Sequence, residues 1–238
     1  MNASFKNLIG LAVVGCMVVS VSGQSRAQGT TAVPEDNLLP AEFTTILKES
    51  WSFLKDETDS LAKIVGSKLE FETVAEFEKR AVDARQRYLT KVNRYVKDKK
   101  LDTRVFGVLF KATLVEYNAD TRMYSVISPT LVEAPYNIPQ IVTEVPRNPY
   151  VALADSITKG YRTSSIYMDF SPHFRWQVHR DTAKVAKADE GHIYFRARFK
   201  IELQQTGTSG AARFAIVPQR LALFNQRTNS IYWEQPLR

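Results

Sequence analysis

The chain predicts an α+β fold in which N-terminal helices pack on a largely antiparallel β-sheet, a sandwich or a partly closed barrel. Three observations carry this. Apolar residues recur at three- and four-residue steps between Phe43 and Tyr95. Beyond Leu101 the texture changes to β-branched, aromatic, Gly and Pro residues. Thirteen residues, His192 to Gln204, then alternate apolar and polar without a break, the period of a half-buried strand.

The N-terminus reads as an export signal. Lys6 precedes an uncharged stretch, Leu8 to Val21, and Ser25-Arg26-Ala27 puts small residues at the −3 and −1 places of a cleavage site. The apolar stretch falls short of the roughly 20 residues of a transmembrane helix. Val13-Val14-Gly15-Cys16 also looks like a bacterial lipobox, but Met17, Val18 and Val19 continue the apolar run past the cysteine. Two outcomes therefore stay open: cleavage near Ala27, or a lipoprotein anchored at Cys16. Membrane contact is expected only in the second.

Cys16 is the single cysteine, so a chain cut after Ala27 forms no disulfide and performs no thiol chemistry. The only glycosylation triplet, Asn2-Ala3-Ser4, lies inside the signal. Secreted animal domains ordinarily carry bridges or glycans; their joint absence points to a bacterial periplasmic or secreted protein. The net charge of +7 permits contact with acidic polymers without requiring it.

Four regions follow: a signal at 1–27, a flexible leader at 28–40, a helical segment at 41–100 and a β-rich domain at 101–238. In the first helix Phe43, Ile46, Leu47, Trp51 and Leu54 share a face, Leu61, Ile64 and Val65 extend it, and Gly66 stops it. The second opens with a Thr73–Glu76 capping box and carries a stripe of Val74, Phe77, Ala81, Ala84, Tyr88, Val92 and Tyr95 to about Lys99. Its basic outer face reads as a solvated surface rather than a membrane contact. Val105 to Tyr117 reads as one strand, Asn118 to Thr121 as a turn, and Met123 to Ile127 as the returning strand. Five prolines mark residues 129–150 as a long loop with a short edge strand at Ile141 to Val145. Short strands are expected at Phe214–Val217, Leu221–Phe224 and Ile231–Trp233, with Pro218 between the first two. Leu114–Tyr124 and Leu221–Ile231 share Leu, aromatic, Asn and Thr at equal spacing; this is a duplicated hairpin or one turn solved twice. Phe195, Phe199, Ile201, Phe174, Trp176, Phe77 and Tyr88 are expected to meet in the core.

Ser171 to Asp181, "SPHFRWQVHRD", concentrates chemistry. Alternation puts Phe174, Trp176 and Val178 on one face and His173, Arg175, Gln177 and His179 on the other. His173 and His179 stand about 20 Å apart on an extended strand, too far for one zinc ion. His179 and His192 make a better pair, because a short helix over Asp181 to Gly191 could bring the two strand ends together. No HExxH motif, nucleophile elbow or phosphate-cradling glycine loop is present, and "TGTSG" (Thr206 to Gly210) reads as a plain inter-strand loop. No cofactor is expected. If the two alternating strands share a sheet, Arg175, His179, Tyr194, Arg196, Arg198 and Lys200 form a basic face able to hold carboxylate or phosphate oxygens. The expectation is a non-enzymatic exported binding or envelope-associated module whose partner is an anionic envelope polymer or an acidic protein. Nucleic acid is not expected. The alternatives are a hydrolase with its site near His179 and His192, and a structural subunit binding partners through the proline-rich loop.

Overall fold

A computed structural model of the chain describes residues 36–134, 145, 147–158, 161–206 and 211–237. They belong to the unit Val33–Arg238. The signal, the lipobox, most of the leader, the loop at 207–210 and the expected edge strand over 141–144 lie outside the described residues.

In chain order the elements are β1 (Asp36–Leu38), α1 (Pro40–Val65), α2 (Val74–Asp98), β2 (Phe106–Lys111), β3 (Thr113–Asn118), β4 (Met123–Ile127), β5 (Leu131–Ala134), β6 (Val151–Thr158), β7 (Tyr161–Met168), β8 (Phe174–Gln177), α3 (Arg180–Ala188), β9 (Ile193–Thr206), β10 (Ala211–Asn225) and β11 (Ser230–Pro236). The strands form a five-stranded sheet, β1-β2-β9-β10-β11, and two three-stranded sheets, β3-β4-β8 and β5-β7-β6. All ladders are antiparallel except β1 with β2. The fold is α+β, and among the described residues no sheet closes into a barrel.

The leader ends earlier than composition suggested. Asp36–Leu38 pair with Phe106–Val108. Pro40 then starts α1 at the one helical position where a missing amide proton costs nothing, and the Leu39 amide donates to the Glu42 carboxylate at 2.6 Å. The α1 stripe is buried from Phe43 through Leu47, Trp51 and Leu54 to Leu61. Phe43 stacks on Phe199 at 5.6 Å and lies 5.7 Å from Phe106, and Trp51 meets Phe214 at 5.2 Å. These rings dock the helix on the five-stranded sheet.

The capping box of α2 forms as the sequence indicates. The Thr73 amide donates to Glu76 at 2.8 Å, and the Glu76 amide donates to the Thr73 hydroxyl at 3.2 Å. Ala81, Ala84, Tyr88, Val92 and Val96 are buried. The first turn is not: Val74 is exposed, and Phe77 stays half-buried under the Arg80 guanidinium rather than joining the core.

Val105–Tyr117 is two strands, not one. The chain breaks at Ala112 and passes from the five-stranded to a three-stranded sheet. Conversely, Pro218 does not end a strand. β10 runs through it with a register shift at 218–220, just beyond the reach of β11, whose pairing begins at Arg220. There a proline forfeits no hydrogen bond to a neighbouring strand on that side. The opposite end of the main sheet is covered by aromatic rings from β8 and its approach: Phe170 and Phe174 lie 4.6 and 5.4 Å from Phe195. A register shift in β10/β11 lets the consecutive Tyr232 and Trp233 both face this layer, at 5.0 Å from Trp176 and 4.7 Å from Phe174.

Candidate anion-binding groove

The expected basic face requires β8 and β9 to share a sheet, and they do not. Arg175 sits in β8 of the β3-β4-β8 sheet, and Tyr194, Arg196, Arg198 and Lys200 sit in β9 of the five-stranded sheet. His179 follows β8 and caps α3. The β9 alternation itself holds: Ile193, Phe195, Ala197, Phe199 and Ile201 are fully buried on one face.

The other face of β9 is not the open cationic surface expected. Arg196 is only 6% exposed. Register places it between Leu109 and Ala222, both buried, and its guanidinium lies 4.6 Å from the centre of the buried Phe224 ring and donates to Asn37 at 3.3 Å. Arg198 pairs with Glu234 at 3.4 Å, and Arg220 reaches the same carboxylate at 3.1 Å. Tyr194 lies under the Lys111 ammonium, 4.8 Å from its ring centre. Lys200 is half-buried. Alternation correctly separated the two faces; it could not reveal that the polar one has apolar neighbours on β2 and β10.

Arg175 does meet a cavity. Glu116, Ser125 and Arg175 stand side by side across β3, β4 and β8. With Asn118, Thr121 and Met123 they line a polar hollow of about 210 Å³ on the outer face of that sheet.

The two histidines are held apart. His179 caps the start of α3, where its ring accepts from the Asp181 amide at 3.4 Å, and His192 lies beyond the end of the helix. Nine helical residues span about 13 Å, so the helix expected to unite the imidazoles separates them. Both are exposed. Among the described residues no three His, Cys, Asp or Glu side chains gather as a metal-binding group.

On the inner face of β3 and β4 lies a second cavity, of about 190 Å³, lined by Tyr117, Tyr124, Arg180, Ala183, Lys184 and Lys187. Its floor is aromatic: the two tyrosine rings are 5.4 Å apart, and the Tyr117 hydroxyl donates to the Val178 carbonyl at 3.2 Å. Its wall is α3, where Arg180, Ala183, Lys184 and Lys187 recur at three- and four-residue steps on one side. Lys187 is braced, donating to the Leu114 carbonyl at 2.9 Å and to Glu190 at 2.6 Å. Glu190 in turn accepts from the Leu114 amide at 2.7 Å. Burial opposes its ionised form, but the Lys187 and Leu114 hydrogen bonds and the nearby Lys111 outweigh it, so its pKa lies below the usual glutamate value. Burial raises the Tyr124 phenol pKa, which keeps it neutral. Arg180 and Lys184 have no ion pair among the described residues. At the far end of α3 Asp189 accepts from Asn225 and pairs with Arg227 at 2.9 Å, which ties the helix to the β10–β11 turn. In the sequence "RDTAKVAK" reads as a link between two histidines, which hides these cations; their three- and four-residue spacing is the signal that reveals them.

The chain matches no protein-family model, no curated protein and no solved structure.

Proposed function

We propose that the protein is a non-enzymatic binding module, exported to the periplasm or cell exterior of a bacterium, that takes an anionic partner in the groove between α3 and the β3–β4 hairpin. The observation that carries this is the stripe Arg180, Lys184 and Lys187 over a floor of two tyrosines. Two of its cations are exposed and without described counter-ions, while the third is held in place by its own hydrogen bonds. Guanidinium and ammonium groups beside a partly desolvated aromatic surface bind carboxylate or phosphate more strongly than the same groups in open water. The stripe on α3 supports an anionic partner in place of the basic face expected across β8 and β9. At about 190 Å³ the groove suits a single acidic or aromatic group of a larger partner rather than a drug-sized ligand.

Titration of a labelled oligo-glutamate into the isotope-labelled protein tests this. Amide shifts should concentrate in α3, β3 and β4, and affinity should fall as salt rises from about 50 to 300 mM. Shifts confined to β9 and β10, or binding indifferent to salt, would reject it. Mass spectrometry of the exported N-terminus separates cleavage near Ala27 from lipidation at Cys16.

A further inference from the structure

The tip of the α1–α2 hairpin is apolar and exposed. Phe71 is 92% exposed, and Leu69 and Val74 are each 62% exposed. Yet the tip is firmly built. Arg80 donates to both oxygens of Glu72 at 2.7 Å, to the Ser67 carbonyl at 3.1 Å and to the Ile64 carbonyl. The Glu72 carboxylate also accepts from the Leu69 amide at 3.0 Å. One guanidinium thus clamps the turn from Ile64 to Glu72 and holds Leu69, Glu70 and Phe71 outward. A contiguous exposed apolar group on a pre-ordered turn marks an interaction site, since binding there costs little ordering entropy.

We infer that this tip docks in the α3 groove of a second copy of the chain; the inference rests on the groove reading above and names its partner. Shape, polarity and charge agree. The tip is convex and the groove concave. A cavity of about 150 Å³ admits benzene, so about 190 Å³ floored by Tyr117 and Tyr124 admits the Phe71 ring. The tip carries two exposed charges, Lys68 and Glu70; Glu70, between Leu69 and Phe71, has no ion pair or hydrogen bond among the described residues, and it is the charge that Arg180 and Lys184 at the groove rim would meet. A lipid surface fits less well, because it would have to accept the Glu70 carboxylate alongside Phe71. Tip and groove are different surfaces, so the contact is heterologous and propagates as a ring or an open chain. Few side chains take part, which places it among weak contacts well under about 1,200 Å².

Sedimentation equilibrium of the full chain from about 10 µM to about 1 mM tests this. The average mass should rise with concentration. Phe71→Ser should raise the dissociation constant about tenfold or more, and Glu70→Lys or Lys184→Glu alone by roughly fivefold, while the two charge reversals together should recover most of the loss. Every variant shares the same N-terminus, so the differences report the tip and groove alone. Phe71 touches almost nothing, so its replacement leaves the fold intact. A mass that stays that of one chain, association indifferent to Phe71→Ser, or Phe71-dependent binding to phosphatidylglycerol vesicles by a chain that stays monomeric would each overturn the inference. In those cases oligo-glutamate binding to α3 still decides the groove reading separately.

Discussion

At the scale of single residues, two buried polar side chains set the sharpest expectations. The Tyr88 hydroxyl accepts from the Ala212 amide at 2.9 Å and shares a hydrogen bond with Thr58 at 3.1 Å, inside the core between helix and sheet. Tyr88→Phe strands the amide, and chemical denaturation should show a loss of about 1–3 kcal/mol at unchanged slope. Arg196 is the second. Its alternation marks it as outward, but its setting on Phe224 beside Leu109 makes it a structural residue. Arg196→Ala should cost roughly 1–3 kcal/mol in stability, through the lost ring contact and hydrogen bond, and leave oligo-glutamate affinity within about twofold of the parent. A stable variant that no longer binds would return the function to β9.

At the scale of elements, the two similar sequence segments build the same turn. Asn118 accepts from the amides of Asp120 and Thr121, and Asn225 from those of Arg227 and Thr228. Four residues on from each asparagine, Arg122 and Asn229 adopt positive φ, 54° and 56°. The shared Asn and Thr are therefore explained by turn chemistry, whatever the history of the segments. Asn118→Ala and Asn225→Ala should each destabilise by about 1 kcal/mol in denaturant unfolding, with Asn225 the costlier because its amide also holds Asp189 and hence α3.

The hairpin tip has a pH signature. Its Arg80 hydrogen bonds hold the Glu72 pKa down at about 2. A free glutamate titrates near 4.3, so the clamp's contribution is complete above about pH 4.3 and is lost as pH falls toward 2. Hydrogen exchange at the Leu69 amide, which donates to Glu72, should accelerate over that window relative to α2 amides; Glu72→Gln should show the faster exchange already at pH 6. The helical elements were legible because capping residues and stripes are local signals. The extent of the strands was less so. Ala112 and Pro218 mislead in opposite directions because a break or its absence depends on which strand lies alongside, and that is decided far away in sequence.

For the whole molecule, composition and periodicity were enough to indicate helices docked on antiparallel sheets. They did not indicate that β8 and β9, separated by residues 178–192, join different sheets. β5, β6 and β7 show the same limit. Tyr161–Met168 pairs with strands on both sides, yet its polar run of Arg162, Thr163, Ser164 and Ser165 carries little alternation. Sheet membership decides which side chains share a surface, and it disperses the residues expected to form one basic face. Arg175 borders a polar hollow, Arg196 is walled in and Arg198 is paired with Glu234, while Arg180 and Lys184 stand exposed beside the tyrosines.

The most direct test is a single set of titrations: labelled oligo-glutamate, at low salt, into the parent chain, Arg180→Ser/Lys184→Ser and Arg198→Ser/Lys200→Ser. Affinity should fall about tenfold or more in the α3 variant and by less than about twofold in the β9 variant. The reverse ranking would contradict the account.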